Sequence, residues 1–506
     1  MIGTSTPEYV FIRACIAGLR AITPLSILYF GFCVFYHPRS LLTSPLAAYA
    51  AIETAFYLVV YLPRTHYLQT PAQHPAAPGR ERRQLLFRQC CSTITNPEGY
   101  LRKWFLGSES AEIKRENVKE FFRWAFLNSV EFDSADDEEL EEYVRDIEDL
   151  LGRKIEPGRG RAKCLRLTID KADMMQRSFS WYMCVGFVDT LSAIHMKFRG
   201  FSFYRIPLSR FFTVFPFRPF TLFSSHQSPA THLSYWYRPH TSKTHLPVLF
   251  IHGIGIGLYP YVGFLAMINE KDEFKDWDGD IGIIAVEVMP ISFRITSPAL
   301  AKAEMCSQIN SILEAHGWDE FVLASHSYGT VISTHLLQSP EIGPKIGPMV
   351  LIDPVTFLLH LPHVAFNFTM RKPRSANEHQ LYYFASKDMG VAHTLSRRFF
   401  WSENILWKED IADRNVTVSL GGRDLIVDTE VVGRYLVGAD TGNWKDGSWK
   451  EGPWIGDGLD VLWFQQCDHA QVFDEKKTRK KLVDVVQRYC RNGRRFIEVA
   501  PMVDVR

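Results

Sequence analysis

The sequence predicts an α/β protein built on a mostly parallel sheet flanked by helices. Three observations predict it. From His232 onward short buried strands alternate with helical stretches; the chemically useful residues of that region stand at strand ends; and Phe321 to Thr334 (FVLASHSYGTVIST) reads as strand, tight turn and helix, with one serine at the apex. Strands joined by helices run parallel, and such sheets gather their functional groups at the strands' C-terminal ends.

The chain has 506 residues, long for one domain, and 46% of them are hydrophobic, enough for a large core. A formal net charge of +1 and the lack of a basic-aromatic stripe exclude nucleic acid as an expected partner. The nine cysteines show neither paired zinc spacing nor the density of a disulfide scaffold, so no metal and no cofactor is expected, and a reducing compartment fits.

Residues 1–62 are expected to form a membrane hairpin that spans the bilayer or lies in its interface. Ala21 to Tyr36 carries no charge and Ser44 to Leu62 only Glu53, each close to the ~20 residues that a helix needs to cross a bilayer. Glu53 is expected to pack helix against helix, since an acid inside a membrane faces a partner. Arginines gather upstream (Arg13, Arg20) and downstream (Arg64, Arg80, Arg82, Arg83, Arg88) of the hairpin, so both its ends, and the rest of the chain, are expected on the cytosolic side. The hairpin carries no chemistry, so a chain beginning near Arg83 is expected to keep its reactivity and lose its membrane.

Residues 63–95, rich in Pro, Gln and His at their start, read as a linker. An accessory region follows over 96–231. Asn96 to Val130 reads as helical with a broad apolar face, and Asp133 to Asp149 as an amphipathic helix whose acids form a solvated side. Phe198 to Phe223 interleaves phenylalanines with Arg199, Arg205, Arg210 and Arg218. Rings beside cations suit a membrane interface, a cap surface or core strands alike.

Over 232–506 the expected strands are Leu233 to Tyr237, Pro247 to Ile251, Ile281 to Val288, Phe321 to Ala324, Met349 to Ile352, Val416 to Leu420 and Val461 to Phe464. Ala301 to His316 reads as a helix, and Glu475 to Arg491 as an amphipathic basic one. The stretch between Asp353 and the next strand is too long for a plain connection, so 355–414 reads as an inserted segment.

The turn at Ser327 needs small residues two before and two after the apex, and Ser325 and Gly329 meet that need. Ser325-His326-Ser327-Tyr328-Gly329 resembles the nucleophile elbow G-x-S-x-G of the α/β-hydrolase superfamily, with serine in place of the first glycine. A serine is a poor nucleophile near neutral pH without a base, and histidine suits that task. The resemblance covers roughly His232 to Arg491. It implies an acid and then a histidine after the serine: Asp424 in GGRDLIVD and His469 in QQCDHAQVF, each past a strand. Asp353, which some members use after the preceding strand, and Asp428 stand as alternative acids. His326 is set aside as the base, because neighbouring side chains on a tight turn diverge.

The resemblance further implies an oxyanion hole made by the backbone amides of Tyr328 and Ile254, with His252, Gly253, Gly255 and Gly257 shaping the loop after an earlier strand. It makes 355–414 a cap over the site, and the cap's apolar content implies a hydrophobic substrate. The expected function is a membrane-anchored serine hydrolase that cleaves carboxylic esters of hydrophobic or lipid substrates through an acyl-enzyme. Two alternatives accompany it: an acyltransferase using the same acyl-enzyme, and a catalytically inactive interaction protein on the same fold.

Overall fold

Ten strands pair into a single sheet among the described residues, in the order β2-β1-β3-β5-β4-β6-β7-β8-β10-β9. They are β1 Ser202–Arg205, β2 His226–Gln227, β3 Ser234–Arg238, β4 Val248–Ile251, β5 Ile283–Glu287, β6 Phe321–His326, β7 Ile346–Ile352, β8 Val416–Gly421, β9 Trp454–Ile455 and β10 Leu459–Phe464. The run β5-β4-β6-β7-β8-β10 is parallel throughout, whereas β3 and β9 pair antiparallel with its two ends. This computed structural model describes residues 2–129, 131, 133–270, 278–438 and 448–492. Val130 at the end of the predicted accessory helix, and 271–277, 439–447 and 493–506 of the predicted catalytic region, lie outside those residues.

Every residue of β4, β5, β6, β7 and β8 is buried. Strands covered by helices on both faces must be apolar on both, which is why they read in the sequence as continuous apolar runs and not as alternations. The basic helix Lys476–Asn492 packs Leu482, Val486 and Tyr489 onto one face, and Lys302–Ala315 with Gly329–Leu337 cover the other.

The N-terminal helix Thr6–Tyr36 starts with a capping box, Ser5 with Glu8, beside Pro7. The second apolar helix, Pro45–Tyr67, widens into π-helical turns over Phe56–Tyr61, and Leu62 N donates to Tyr57 O, five residues back. Pro63 follows directly; it has no N–H to donate and its ring crowds the turn before it, which favours the wider winding. Both helices are long and apolar enough to cross a membrane.

Three sequence expectations change. Within 63–95, the second apolar helix runs on to Tyr67 and Arg80–Ser92 is helical, with only the Pro-rich stretch between them irregular. The partners of Arg80–Ser92 lie far downstream on the acidic helix Asp137–Leu151: Arg80 pairs with Glu138 and Glu142, Arg83 with Glu139, and the Phe87 ring stacks on Tyr143 at 4.2 Å. The acids expected on a solvated face therefore serve in part as docking groups. The predicted helix over 96–130 breaks into Pro97–Trp104, a short 3-10 turn at Ser110–Glu112, and Arg115–Leu127. The first break falls where Leu106 and Gly107 take positive φ (57° and 83°), which a right-handed helix does not continue through.

Candidate active site

Ser327 stands at the end of β6 with φ of +52°, a left-handed conformation that costs a non-glycine residue energy unless its surroundings fix it. Its amide donates to Ile352 O of β7, and Thr330 N returns a bond to Ser327 O. The small neighbours have visible reasons. A Cβ at Gly329 would come within 2.3 Å of Ile251 O, and Ser325, fully buried, accepts a hydrogen bond from Ser333 on the following helix at 2.8 Å. Glycine at the first elbow position is thus replaced by a residue whose hydroxyl is used.

The three widely spaced side chains converge. His469 Nε2 lies 2.8 Å from Ser327 Oγ, and His469 Nδ1 lies 2.7 Å from Asp424 Oδ2. Asp424 also accepts the amides of Ile426 and Val427 on its other oxygen, at 2.7 and 2.9 Å, which fixes its carboxylate plane. Burial alone would lower the His469 imidazole. Asp424, followed by Asp353 and Asp468, outweighs burial and lifts it to about 9.

The alternative acids have other positions. Asp353, at the end of β7 with φ of +43°, accepts the amides of Gly421 and Ala470 at 3.2 and 2.8 Å and faces His326 at 3.6 Å. It ties the loop carrying Asp424 to the loop carrying His469. Burial opposes its charge, but His326 and His469 hold it below the ordinary carboxylate range. Asp428 accepts Val431 N and caps the helix Thr429–Val437. Ligand atoms of Asp353, Asp424 and His469 lie within 4.8 Å of one another, close enough to surround a cation. The hydrogen bonds just given already occupy those atoms. His326 is engaged elsewhere: its Nδ1 meets the Tyr261 hydroxyl at 2.8 Å, and its ring lies 5.2 Å from that of His469.

The loop after β4 crosses directly above the elbow. A Cβ on Gly253 would sit 2.7 Å from both His326 Nδ1 and Ser327 Cβ, so only glycine lets the two segments approach this closely. His252, fully buried, bridges the loop to β5: Val288 N donates to its Nε2 at 2.9 Å, so its Nδ1 carries the proton and donates to Gly253 O at 2.7 Å. Burial pushes this imidazole down to about 4, which keeps it neutral. Gly257 takes positive φ (81°). Gly255 has open space where a Cβ would stand; its part is an amide bond to Ile291 O at 3.1 Å. Neither the Ile254 nor the Tyr328 amide has an acceptor among the described residues, and both residues border the same cavity as Ser327.

That cavity is apolar. Phe368, Leu395, Phe399 and Trp401 of the segment after Asp353 line it, opposite Trp104 and Trp124 of the accessory helices. Indole N–H groups anchor the tryptophans: Trp124 to Thr168 Oγ1 at 2.8 Å, Trp401 to Ala125 O at 2.7 Å and Trp104 to His360 O at 3.3 Å. With their polar edges satisfied, the rings present apolar surface to the cavity.

Sequence reasoning missed Asp468, Tyr261 and the wall tryptophans Trp104 and Trp124. Asp468 accepts the amides of Leu425 and His469 and a bond from Asn377 Nδ2 at 2.8 Å. It stands directly before the histidine, a proximity that the sequence does display. Trp104 and Trp124 carry no comparable signal, because they reach the site from more than 200 residues upstream.

A parallel sheet of this order, an elbow serine after β6 and a histidine after β10 make up an α/β-hydrolase fold. No family model matches the chain, and no curated protein matches it by sequence. Solved structures similar to it include a bacterial membrane phospholipase A (13% identity, TM-score 0.36, covering 61% of this chain and 94% of that one). Others are a putative lipase from Acinetobacter baumannii (11%, 0.36, 60% and 94%) and an esterase from Rhodococcus sp. (15%, 0.33, 51% and 94%).

Proposed function

We propose that this chain is a membrane-anchored serine hydrolase that cleaves carboxylic esters of hydrophobic acyl groups, lipid esters among them. The observation that carries the reading is the unbroken hydrogen-bond chain Ser327–His469–Asp424 opening into an apolar cavity. In this reading Ser327 Oγ attacks the ester carbonyl carbon as His469 Nε2 takes its proton, and Asp424 stabilises the imidazolium. The amides of Ile254 and Tyr328 meet the negative oxygen. His469 then protonates the departing alcohol. Water, deprotonated by the same histidine, releases the acid and restores the serine.

The cavity supports this substrate class, since an apolar wall favours an acyl chain over a charged group. The hairpin supplies the membrane: Leu28, Phe35, Leu42 and Val59 are exposed on it, as lipid-facing residues would be. The arginine distribution favours a cytosolic position for the catalytic part. Hydrolysis of p-nitrophenyl esters of graded chain length tests the reading. Wild type is expected to prefer medium or long chains, with Ser327→Ala slower by 10⁴-fold or more, the order seen when a nucleophile is removed; an unchanged rate in Ser327→Ala refutes it.

A further inference from the structure

The helix Phe179–Phe198 is apolar on both sides. Its inward face buries Val185, Ala193 and Met196 beside the carboxylate of Asp189, while its outward face carries Met183, Phe187, Leu191, Ile194 and Phe198, spaced by three and four residues into one stripe. Phe187 is 66% exposed and Phe198 85%. A helix on a water-facing surface carries polar residues on its outward side.

A buried ion cluster fixes which face points out. Asp189 accepts Arg218 Nε at 2.8 Å and Arg294 Nη2 at 2.6 Å, and Arg218 continues to Glu287 at the end of β5 at 2.7 Å. Rotating the helix to hide the phenylalanines would pull a paired carboxylate out of this cluster, so the sheet itself holds the apolar stripe outward.

The stripe also continues the hairpin. Phe179 N donates to Glu53 Oε2 at 2.9 Å, Tyr49 OH lies 2.7 Å from Ser180 Oγ, and the Phe56 ring meets Phe179, Tyr182 and Phe215 within 5.7 Å. Beyond it, Phe212 and Phe223 of the phenylalanine-rich stretch are exposed as well. Lys197 and Arg199, also exposed, stand at the helix's C-terminal end, where cations suit lipid headgroups.

We infer that Phe179–Phe198, with the exposed phenylalanines after it, is a lipid-contacting surface that seats the catalytic part against the bilayer beside the hairpin. The occupant is the acyl-chain and headgroup layer of a membrane. Continuity with two apolar helices and a cationic end favour lipid over a protein partner or a second copy of the chain. The inference rests on the membrane reading of the hairpin, and the test separates the two.

Full-length protein reconstituted in phosphatidylcholine vesicles doped with a diazirine-tailed phosphatidylcholine is irradiated, and the lipid adducts are mapped by peptide mass spectrometry. Expected are adducts within 183–198 at a level comparable with the hairpin, while the acidic helix 137–151 stays bare. In the double variant Phe187→Glu/Phe198→Glu, adducts on 183–198 fall by about tenfold and those on the hairpin persist. Hairpin adducts with 183–198 as bare as 137–151, crosslinks there between copies of the chain, or no fall in the double variant overturn the inference. A hairpin that is itself bare overturns the membrane reading beneath it.

Discussion

At Gly253 the loop after β4 touches the elbow, and a single methyl there has nowhere to go. Gly253→Ala is expected to push the Ile254 amide away from Ser327 and slow ester hydrolysis on the order of 10²-fold, the size of losing one oxyanion donor, with the far-UV spectrum unchanged; full activity would show that this loop does not serve the reaction. His469 gives a prediction in pH. The base must be neutral, so hydrolysis is expected to climb with pH until about 9, the value to which Asp424, Asp353 and Asp468 lift the imidazole. Stability runs the other way. An imidazole raised above its ordinary value of about 6.5 stabilises the fold fully below that pH, and its contribution disappears as pH rises to about 9. Asp468→Asn removes one of the three carboxylates and is expected to move the rising limb of the pH–rate curve to lower pH. A limb that stays in place would mean that Asp468 does not act on the histidine's charge.

Elements far apart in the chain build the cavity, which is why its chemistry was only partly legible. Apolar runs marked the strands well, since burial on both faces leaves one composition. The elbow, GGRDLIVD and QQCDHAQVF each sit beside a strand and could be read locally. The roles of Trp104 and Trp124 depend on accessory helices folding back over the site, and no local pattern encodes that. The helix Arg80–Ser92 was hidden for the same reason: its arginines are explained by Glu138, Glu139 and Glu142 on another helix. Trp124→Leu shortens the cavity wall and removes the bond to Thr168. It is expected to shift the preferred acyl length upward, changing the ratio of long- to short-chain kcat/KM by about tenfold, the scale on which a hydrophobic pocket discriminates. An unaltered chain-length profile would place the acyl group elsewhere. On the hairpin, Glu53 has the packing role that its position suggested, accepting bonds from Thr23 at 2.6 Å, Tyr49 at 3.1 Å and Phe179 N.

Across the whole molecule, the apolar N-terminal helix is joined to the histidine loop by a chain of contacts. Tyr9 packs its ring on His379, Arg13 lies 3.4 Å from the same imidazole, and Ile2 N donates to Gln380. These belong to the short helix Ala376–Gln380, whose Asn377 holds Asp468, and Asp468 accepts the His469 amide at 2.7 Å. The N-terminal helix thus touches the element that supports the histidine loop, and a positioning role for it stands against the expectation from sequence that a chain without the hairpin keeps its reactivity. Removing residues 1–67 is expected to lower kcat on a water-soluble ester in detergent by up to about 10²-fold, as small misplacements of a catalytic group do. Unchanged kcat would show that the link carries no mechanical load.

The convergence of Ser327, His469 and Asp424 is tested most directly by labelling with a fluorophosphonate and sequencing the adduct. One adduct on the peptide containing Ser327 is expected, lost in Ser327→Ala and strongly slowed in His469→Ala. Equal labelling of Ser327→Ala, or no labelling of folded wild-type protein at any pH up to 9, would contradict it.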